Sequence, residues 1–283
     1  MSTLFVVATP IGNLEDMTFR AVRILREVDW IACEDTRETR KLLDHYGIEK
    51  HTISYHDHNE MERSKELVAR LAAGESGAIV SDAGMPLISD PGYRLVRAAI
   101  EAGIRVEPLP GASASLTALA ASGLPTDAFH FVGFLPSKSG QRDHALEALR
   151  NERSTLICYE APHRILETLE AIERLMGPRP VVLARELTKV HEEFVRGTAS
   201  EIRAELAKRG ELRGEMTLLI GKATKPMPSN VPIEQAYRQQ LHSGLSRMDA
   251  MKALARERGI SKREIYKKIS REEHTHAQPV KRT

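Results

Sequence analysis

Ala78-Ile-Val-Ser-Asp-Ala-Gly-Met-Pro-Leu-Ile-Ser-Asp-Pro-Gly92 is a short apolar run that breaks into a long turn of small and polar residues. Ala78–Val80 has the character of a buried strand. The turn from Ser81 to Gly92 holds Gly84, Pro86, Pro91 and Gly92, which neither helix nor strand absorbs. A helical pattern follows at 92–103, where Leu95, Val96, Ala99 and Ile100 recur at the helical period and Gly103 stops the run. Arg105–Leu109 is then strand-like. Strand, loop, helix and strand in this order make a unit of a largely parallel sheet covered by helices.

The same alternation extends upstream. Leu4–Ala8, Trp30–Cys33 and Thr52–Tyr55 read as strands. Between them Thr18 can cap a helix carrying Ala21, Val22, Leu25 and Val28, and Leu67, Val68 and Leu71 mark a helix at 63–73 ended by Gly74. Downstream a second block begins, with strands at Phe129–Phe134, Thr155–Tyr159, Val181–Ala184, Glu193–Arg196 and Met216–Ile220 and a helix at 163–176. The predicted fold class is α/β, with two successive α/β domains at 1–122 and 123–223 joined near Gly123-Leu-Pro125. The stretch Lys225-Pro-Met-Pro-Ser-Asn-Val-Pro232 reads as a Pro-stiffened linker within 224–232.

Three short helices are predicted beyond it, at 233–242, 246–258 and 261–270. Ser246-x-x-Asp249 resembles a capping box, Ser261-x-x-Glu264 fits one fully, and Gly259 suits a C-cap. They make a basic three-helix domain over 233–271, followed by a disordered tail at 272–283. The unit is compatible with a helix-turn-helix and equally with a helical block that packs on the body.

The net charge of +2 over 283 residues hides a segregation. From Lys225 onward there are 13 basic and 6 acidic residues, so the rest of the chain is net acidic. An acidic body with a basic appendage fits an enzyme with a contact surface for a polyanion. Two cysteines, Cys33 and Cys158, both in strand runs, supply no disulfide framework and no C-x-x-C pair; buried thiols in a reducing cytoplasm are expected. The N-terminus lacks a basic region before its apolar run, so no secretory signal is read. Pro108–Thr126 carries no charge but is built of small residues, and reads as a turn and a buried helix rather than a membrane span.

G-x-G-x-x-G, G-x-x-x-x-G-K and G-x-S-x-G are all absent, which disfavours classical dinucleotide binding, P-loop chemistry and the α/β-hydrolases. Three small-residue loops stand at strand ends instead: Thr9-Pro-Ile-Gly-Asn-Leu14, Ser81–Gly92 and Pro110-Gly-Ala-Ser-Ala-Ser115. Ligands of open α/β sheets bind at the carboxyl ends of strands, and small residues let them approach the backbone. The three loops together predict a ligand cleft.

TPIGNL at 9–14, CEDTR at 33–37, SDAGMPLISDPG at 81–92, PGASA at 110–114, YEAPHR at 159–164 and LARELTK at 183–189 resemble, in order and spacing, the tetrapyrrole methylase superfamily. The likeness is strongest to its bacterial branch that modifies small-subunit ribosomal RNA. The resemblance covers about residues 4–222, and the basic tail fits that branch. It implies S-adenosyl-L-methionine bound in a cleft between two α/β domains, usually in a homodimer. It also implies methylation of a cytidine 2′-hydroxyl in 16S ribosomal RNA, within the small ribosomal subunit and near the decoding centre. The cofactor residues that it implies are Pro10, Asp82, Met85, Ser113, Ala114, Tyr159, Glu160, Ala161, Glu186, Met216 and Thr217.

A ribose hydroxyl is a weak acid, so a nearby base would help. Glu34, Asp35 and His56 are the candidates, with Glu160 a further carboxylate; orientation alone is the alternative. Arg37, Arg40 and Lys41 are placed to hold phosphate, or to make surface ion pairs worth little. Arg256, Arg258, Lys262, Arg263, Lys267 and Lys268 would bind phosphate without reading sequence. His56 and His58 lack further ligands, so no catalytic metal is expected. Two other readings stay open. A methylase of a corrin or porphyrin precursor would have no need of the basic tail; against a cofactor-binding RNA-associated factor with no catalysis stand the intact loops, which argue against decay.

Overall fold

The computed structural model describes residues 2–224, 232–258 and 260–276, and the side chains of these except at 257 and 270–276. The first domain holds β1 (Thr3–Val7), α1 (Phe19–Glu27), β2 (Trp30–Cys33), α2 (Thr36–His45), β3 (Thr52–Ser54), α3 (Glu60–Ala72), β4 (Gly77–Val80), α4 (Tyr93–Glu101) and β5 (Arg105–Leu109). Its five strands are all parallel, in the order β3-β2-β4-β1-β5. The core on one face joins Ala21, Ile24, Leu25 and Leu43 of α1 and α2 to Val7, Ile31 and Val80. On the other face, Leu67 and Leu71 of α3 and Leu95 and Ala99 of α4 pack on Leu4, Trp30 and Ile79. Gly77 leaves room for Trp30, whose ring would lie 2.2 Å from a Cβ there.

α5 (Ala114–Ser122) follows β5. Then come β6 (Phe129–Phe134), α6 (Ser139–Leu149), β7 (Thr155–Glu160), α7 (Ile165–Met176), β8 (Pro180–Arg185), β9 (Glu193–Thr198), α8 (Ala199–Leu206) and β10 (Met216–Ile220). This second sheet has the order β6-β7-β10-β8-β9 and is mixed: β6 and β7 run parallel, and every other pair is antiparallel. One face carries α7 and α8 through Ile165, Leu169, Ile172, Ile202 and Leu206. The other is covered by α5, whose Ala118 and Leu119 pack with Ile157, Val182, Ala184 and Leu219. Arg196 of β9 donates to the carbonyls of Ala121 (2.6 Å) and Ser122 (3.2 Å), tying off the C-terminus of α5. The expected domain boundary at 122/123 thus falls just after a helix that packs on the second sheet.

Three helices, α2, α6 and α8, are not announced by the sequence pattern. In α6 the reason is visible: Arg142 takes a core position at 3% exposure, where the periodicity calls for an apolar residue. The C-terminal block holds α9 (Ile233–His242), α10 (Arg247–Arg258) and α11 (Lys262–His276) around Tyr237, Ala250, Leu254, Ile265 and Ile269. The box at Ser261 and Glu264 closes reciprocally, with the Ser261 N–H donating to Oε2 of Glu264 (2.8 Å) and the Glu264 N–H to Oγ of Ser261 (3.3 Å). At Ser246 the hydroxyl takes the Asp249 N–H (3.2 Å). The tail expected from 272 begins instead as helix, because α11 runs on to His276: Glu272 and Glu273 favour helix and no Gly or Pro intervenes before Pro279. The linker at 225–231, Gly259 and residues 277–283 lie outside the described residues.

Candidate active site

The order β4-β1-β5 makes neighbours of the three small-residue loops, since each leaves the carboxyl end of one of these strands. They are pinned together by backbone. Thr9 and Gly84 exchange both N–H···O bonds (2.9 and 3.0 Å), the Thr9 hydroxyl donates to the Ser81 carbonyl (3.0 Å), and Ser81 Oγ donates to the Gly84 carbonyl (2.8 Å). A Cβ on Gly111 would lie 2.6 Å from Cβ of Ala8, so the third loop needs glycine to lie against the end of β1.

The second sheet supplies the facing wall. β10 runs antiparallel between β7 and β8, so its start lies beside their ends, and Thr217 pairs with both Tyr159 and Ala184. A cavity of about 370 Å³ lies between the two domains. Its first-domain side includes Ile11, Met85, Ile88, Asp90, Ser113 and Ala114, and its second-domain side Phe134, Tyr159, Glu160, Ala161, Met216 and Thr217. Ser113 is the N-cap of α5, but its hydroxyl meets Oγ of Ser115 (3.1 Å) and no side chain caps the helix. No N-cap side chain bonds the first turn, and its Ser115 N–H meets the Tyr159 hydroxyl of the facing wall.

Of the residues that the family resemblance implies for the cofactor, Met85, Ser113, Ala114, Tyr159, Glu160, Ala161, Met216 and Thr217 line this cavity. Pro10 is buried beside Ile11, off the wall. Asp82 is turned to the N–H of Asp35 (3.1 Å) and ties the β2 and β4 loops together; lost hydration raises its pKa, which that bond opposes. Glu186 stands behind the wall as a brace. Its Oε1 accepts the Glu215 N–H (2.8 Å) and the Lys189 ammonium (3.0 Å), which also reaches Glu215 (3.1 Å). Partial burial works against its charge, but these donors outweigh it and its pKa lies below the usual range. Glu186 and Thr188 hold left-handed backbone (φ 52° and 64°), and the Lys189 stem passes over Gly12 of the first loop.

Of the candidate bases, Glu34, Asp35 and His56 do not line the cavity. Asp35 is the N-cap of α2, accepting the Arg37 N–H (2.8 Å) and pairing with its guanidinium (2.7 Å), which hold its pKa at about 2. Such a carboxylate is a poor base. His56 has Nε2 against the Asn59 amide (3.2 Å) and a buried Nδ1 with no partner. Glu34 lies at the end of β2, its pKa raised by lost hydration and by the charges of Asp82 and Asp57. Glu160 lines the cavity, but its carboxylate is consumed by the Ala161 N–H (2.8 Å), Arg164 (2.5 Å) and the Thr168 hydroxyl (2.6 Å).

Sequence reasoning did not single out Asp90. It sits half-buried on the cavity wall, and lost hydration with the charges of Glu34 and Asp82 raises its pKa to about 7. Its signal in the sequence is that of an ordinary Asp-Pro-Gly turn.

Of the expected RNA contacts, Arg37 and Lys41 are exposed and paired with Asp35 and Glu38, and Arg40 is exposed beside them. In the C-terminal block Arg256, Arg263, Lys267 and Lys268 are exposed, and Arg258 and Lys262 are partly covered. Among the described residues no group of three His, Cys, Asp or Glu could hold a metal ion, and no helix is long and apolar enough to cross a membrane.

Comparison with known proteins fits this architecture. The tetrapyrrole (corrin/porphyrin) methylase family model matches residues 3–203. A Halalkalibacterium halodurans protein named ribosomal RNA small subunit methyltransferase I is 49% identical over 270 residues, 93% of each chain. A Synechocystis protein of the same name is 48% identical over 270 residues, covering 94% of this chain and 96% of that one. Among solved structures, the methyltransferase CobJ superposes with a TM-score of 0.60 over 81% of this chain and 98% of its own, at 19% identity, a likeness of fold. The chain belongs to the tetrapyrrole methylase family, among the relatives named ribosomal RNA small subunit methyltransferase I.

Proposed function

We propose that the protein transfers a methyl group from S-adenosyl-L-methionine to a cytidine 2′-hydroxyl of 16S ribosomal RNA in the small ribosomal subunit. The observation that carries this reading is the cleft between the two sheets. Three strand-end loops, an uncapped helix and the facing edge of a second sheet meet there, in a chain that aligns nearly end to end with relatives named for small-subunit ribosomal RNA.

The residues present fit the cofactor. The cavity is of the size that takes a small-molecule cofactor. The α5 N–H groups suit a carboxylate, and the apolar walls at Ile11, Ile88 and Phe134 suit a flat ring. S-adenosylmethionine supplies a methyl group on a positively charged sulfur. The protein's own task is to orient the hydroxyl, exclude water and accept a proton.

The exposed cations of α10 and α11 would hold phosphate, while specificity would come from the shape of the folded particle. That the match to the same-named relatives covers 93% and 94% of this chain favours this over a corrin or porphyrin substrate. The homodimer and cytoplasmic location implied by the family are part of this proposal; light scattering tests the first.

Purified protein, labelled S-adenosylmethionine and unmodified small subunits make the test. Alkali-resistant label at one cytidine linkage is expected. Label in a tetrapyrrole precursor and none in RNA would overturn the substrate assignment.

A further inference from the structure

We propose that Asp90 is the catalytic base of this cleft, the group that takes the proton of the attacking hydroxyl. The assignment rests on the cleft being a site of methyl transfer to a ribose.

Four ionisable side chains line the cavity: Asp90, Tyr159, Glu160 and Glu215. Three of them are committed. Glu160 is saturated by Arg164, Thr168 and the Ala161 N–H, and Glu215 is paired with Lys189. Tyr159 is pushed further from ionisation by burial, against its bonds to Ser115. Asp90 alone of the four has neither an ion pair nor a side-chain hydrogen bond among the described residues.

The backbone that carries it is contorted. Leu87 and Ser89 hold left-handed conformations (φ 71° and 66°), and Gly92 stands at φ 134°. Leu87 and Ser89 carry strain in that conformation, as glycine does not, and such strain clusters where a side chain must be presented in one place. Gly92 has no freedom to change, since a Cβ there would lie 2.8 Å from Cδ1 of Ile79. The loop faces the second domain, with Ser89 Oγ 3.4 Å from where a Cβ of Gly133 would be, so Asp90 is offered across the cleft toward Tyr159.

Its charged surroundings tune it. Lost hydration disfavours its charge most, and Glu34 from the end of β2 and Asp82 from the end of β4 add repulsion, so its pKa is raised to about 7. Asp35 lies further round the rim at about 2, already ionised and too weakly basic. A base that titrates near the working pH can both lose and regain a proton in each cycle.

The step balances without a further reactant. The hydroxyl O–H bond breaks and its proton passes to a carboxylate oxygen of Asp90. The ribose oxygen bonds to the methyl carbon, and the carbon–sulfur bond breaks with its electron pair left on sulfur. The neutral Asp90 carboxyl returns its proton to water when the products leave.

Wild type, Asp90→Asn and Asp90→Glu test this in single-turnover transfer to small ribosomal subunits across pH. Calorimetry gives cofactor affinity, and carbon-13 NMR follows labelled aspartate carboxyls in the free protein. Asp90→Asn is expected to slow transfer about 10²–10⁴-fold with cofactor affinity held within about threefold. It is also expected to remove one carboxyl signal titrating near 7. Asp90→Glu is expected to keep part of the rate with a displaced pH inflection. An Asn variant within about fivefold of wild type with the same inflection overturns the assignment. Loss of cofactor affinity by about tenfold or more also overturns it and makes Asp90 a cofactor contact. If wild type itself methylates no RNA, the substrate reading fails and the assignment falls with it; an active wild type with an active Asn variant sinks the assignment alone.

Discussion

Replacing Glu160 by alanine removes an acceptor on which three groups depend. Its Oε1 takes the Ala161 N–H and the Arg164 guanidinium, and its Oε2 takes the Thr168 hydroxyl. Glu160 is 2% exposed and Thr168 fully buried, so little water can replace the carboxylate. Removing one partner of a buried ion pair costs about 3–5 kcal/mol. The stranded Thr168 hydroxyl and Ala161 N–H bring the total to about 4–6 kcal/mol. In a chain of this size each kcal/mol moves Tm by about 2–4 °C, so a fall of roughly 8–24 °C is expected. Glu160→Gln keeps the shape and an acceptor for Thr168, and is expected to lose about half as much. Thermal unfolding followed by circular dichroism, alongside cofactor titration, reads both. A Glu160→Ala protein that melts within about 2 °C of wild type yet has lost methyl transfer would refute the reasoning. Glu160 would then act in the chemistry rather than in holding the β7–α7 turn.

Asp90→Asn is expected to stabilise the protein at alkaline pH. The raised carboxyl pKa means that the folded state is at its most stable below the ordinary Asp range and loses stability as pH climbs through about 7. The variant gains about 1–2 kcal/mol above that pH, after allowance for solvent screening, and nothing below about pH 4; urea midpoints at both ends check it. Gly214→Ala places a Cβ 2.5 Å from Cδ and Oε1 of Glu186 at φ 93°, so the brace to Lys189 and Glu215 must break. A loss of about 2–4 kcal/mol and weaker cofactor binding are expected from denaturation and calorimetry. Asp82→Ala deprives the Asp35 N–H of its acceptor and is expected to weaken cofactor binding with the fold retained; unchanged calorimetric affinity rejects that role. Neutralising Arg263, Lys267 and Lys268 together is expected to flatten the salt dependence of RNA binding, by about 0.7–0.9 in log–log slope for each phosphate that is no longer neutralised.

The first sheet and its three loops were legible because each β-branched run ends in small residues. The parallel order then brings the ends of β4, β1 and β5 together. The second wall was harder to read. Met216 and Thr217 reach the cleft only because β10 runs antiparallel between β7 and β8, a pairing that no local pattern announces. Glu160 and Glu186 stand in motifs that fit a cofactor site, and only geometry shows their carboxylates spent on Arg164 and Lys189. Asp90 was hidden for a different reason. Its basicity comes from the hydration it loses on the cleft wall and from Glu34 and Asp82, which are distant in sequence, and a turn aspartate reads the same with or without them. α6 was hidden by Arg142, a charge where the helical period wants a hydrocarbon.

α5 belongs by sequence to the first domain and by packing to the second sheet. The consequence concerns how the chain can be divided. A cut after Ser122 would leave one fragment ending in a helix whose Ala118 and Leu119 have been stripped of their neighbours. The other fragment would begin with Ile157, Val182 and Leu219 laid bare on one sheet face, and with Arg196 missing its two carbonyls. Neither piece would be a finished globule, so residues 2–224 should melt as one cooperative unit despite their two sheets. The same packing fixes what a hinge motion would cost. If the sheets swing apart, α5 travels with the second one, and the contact that must part is that of Ile11 of the first loop with the α5 core.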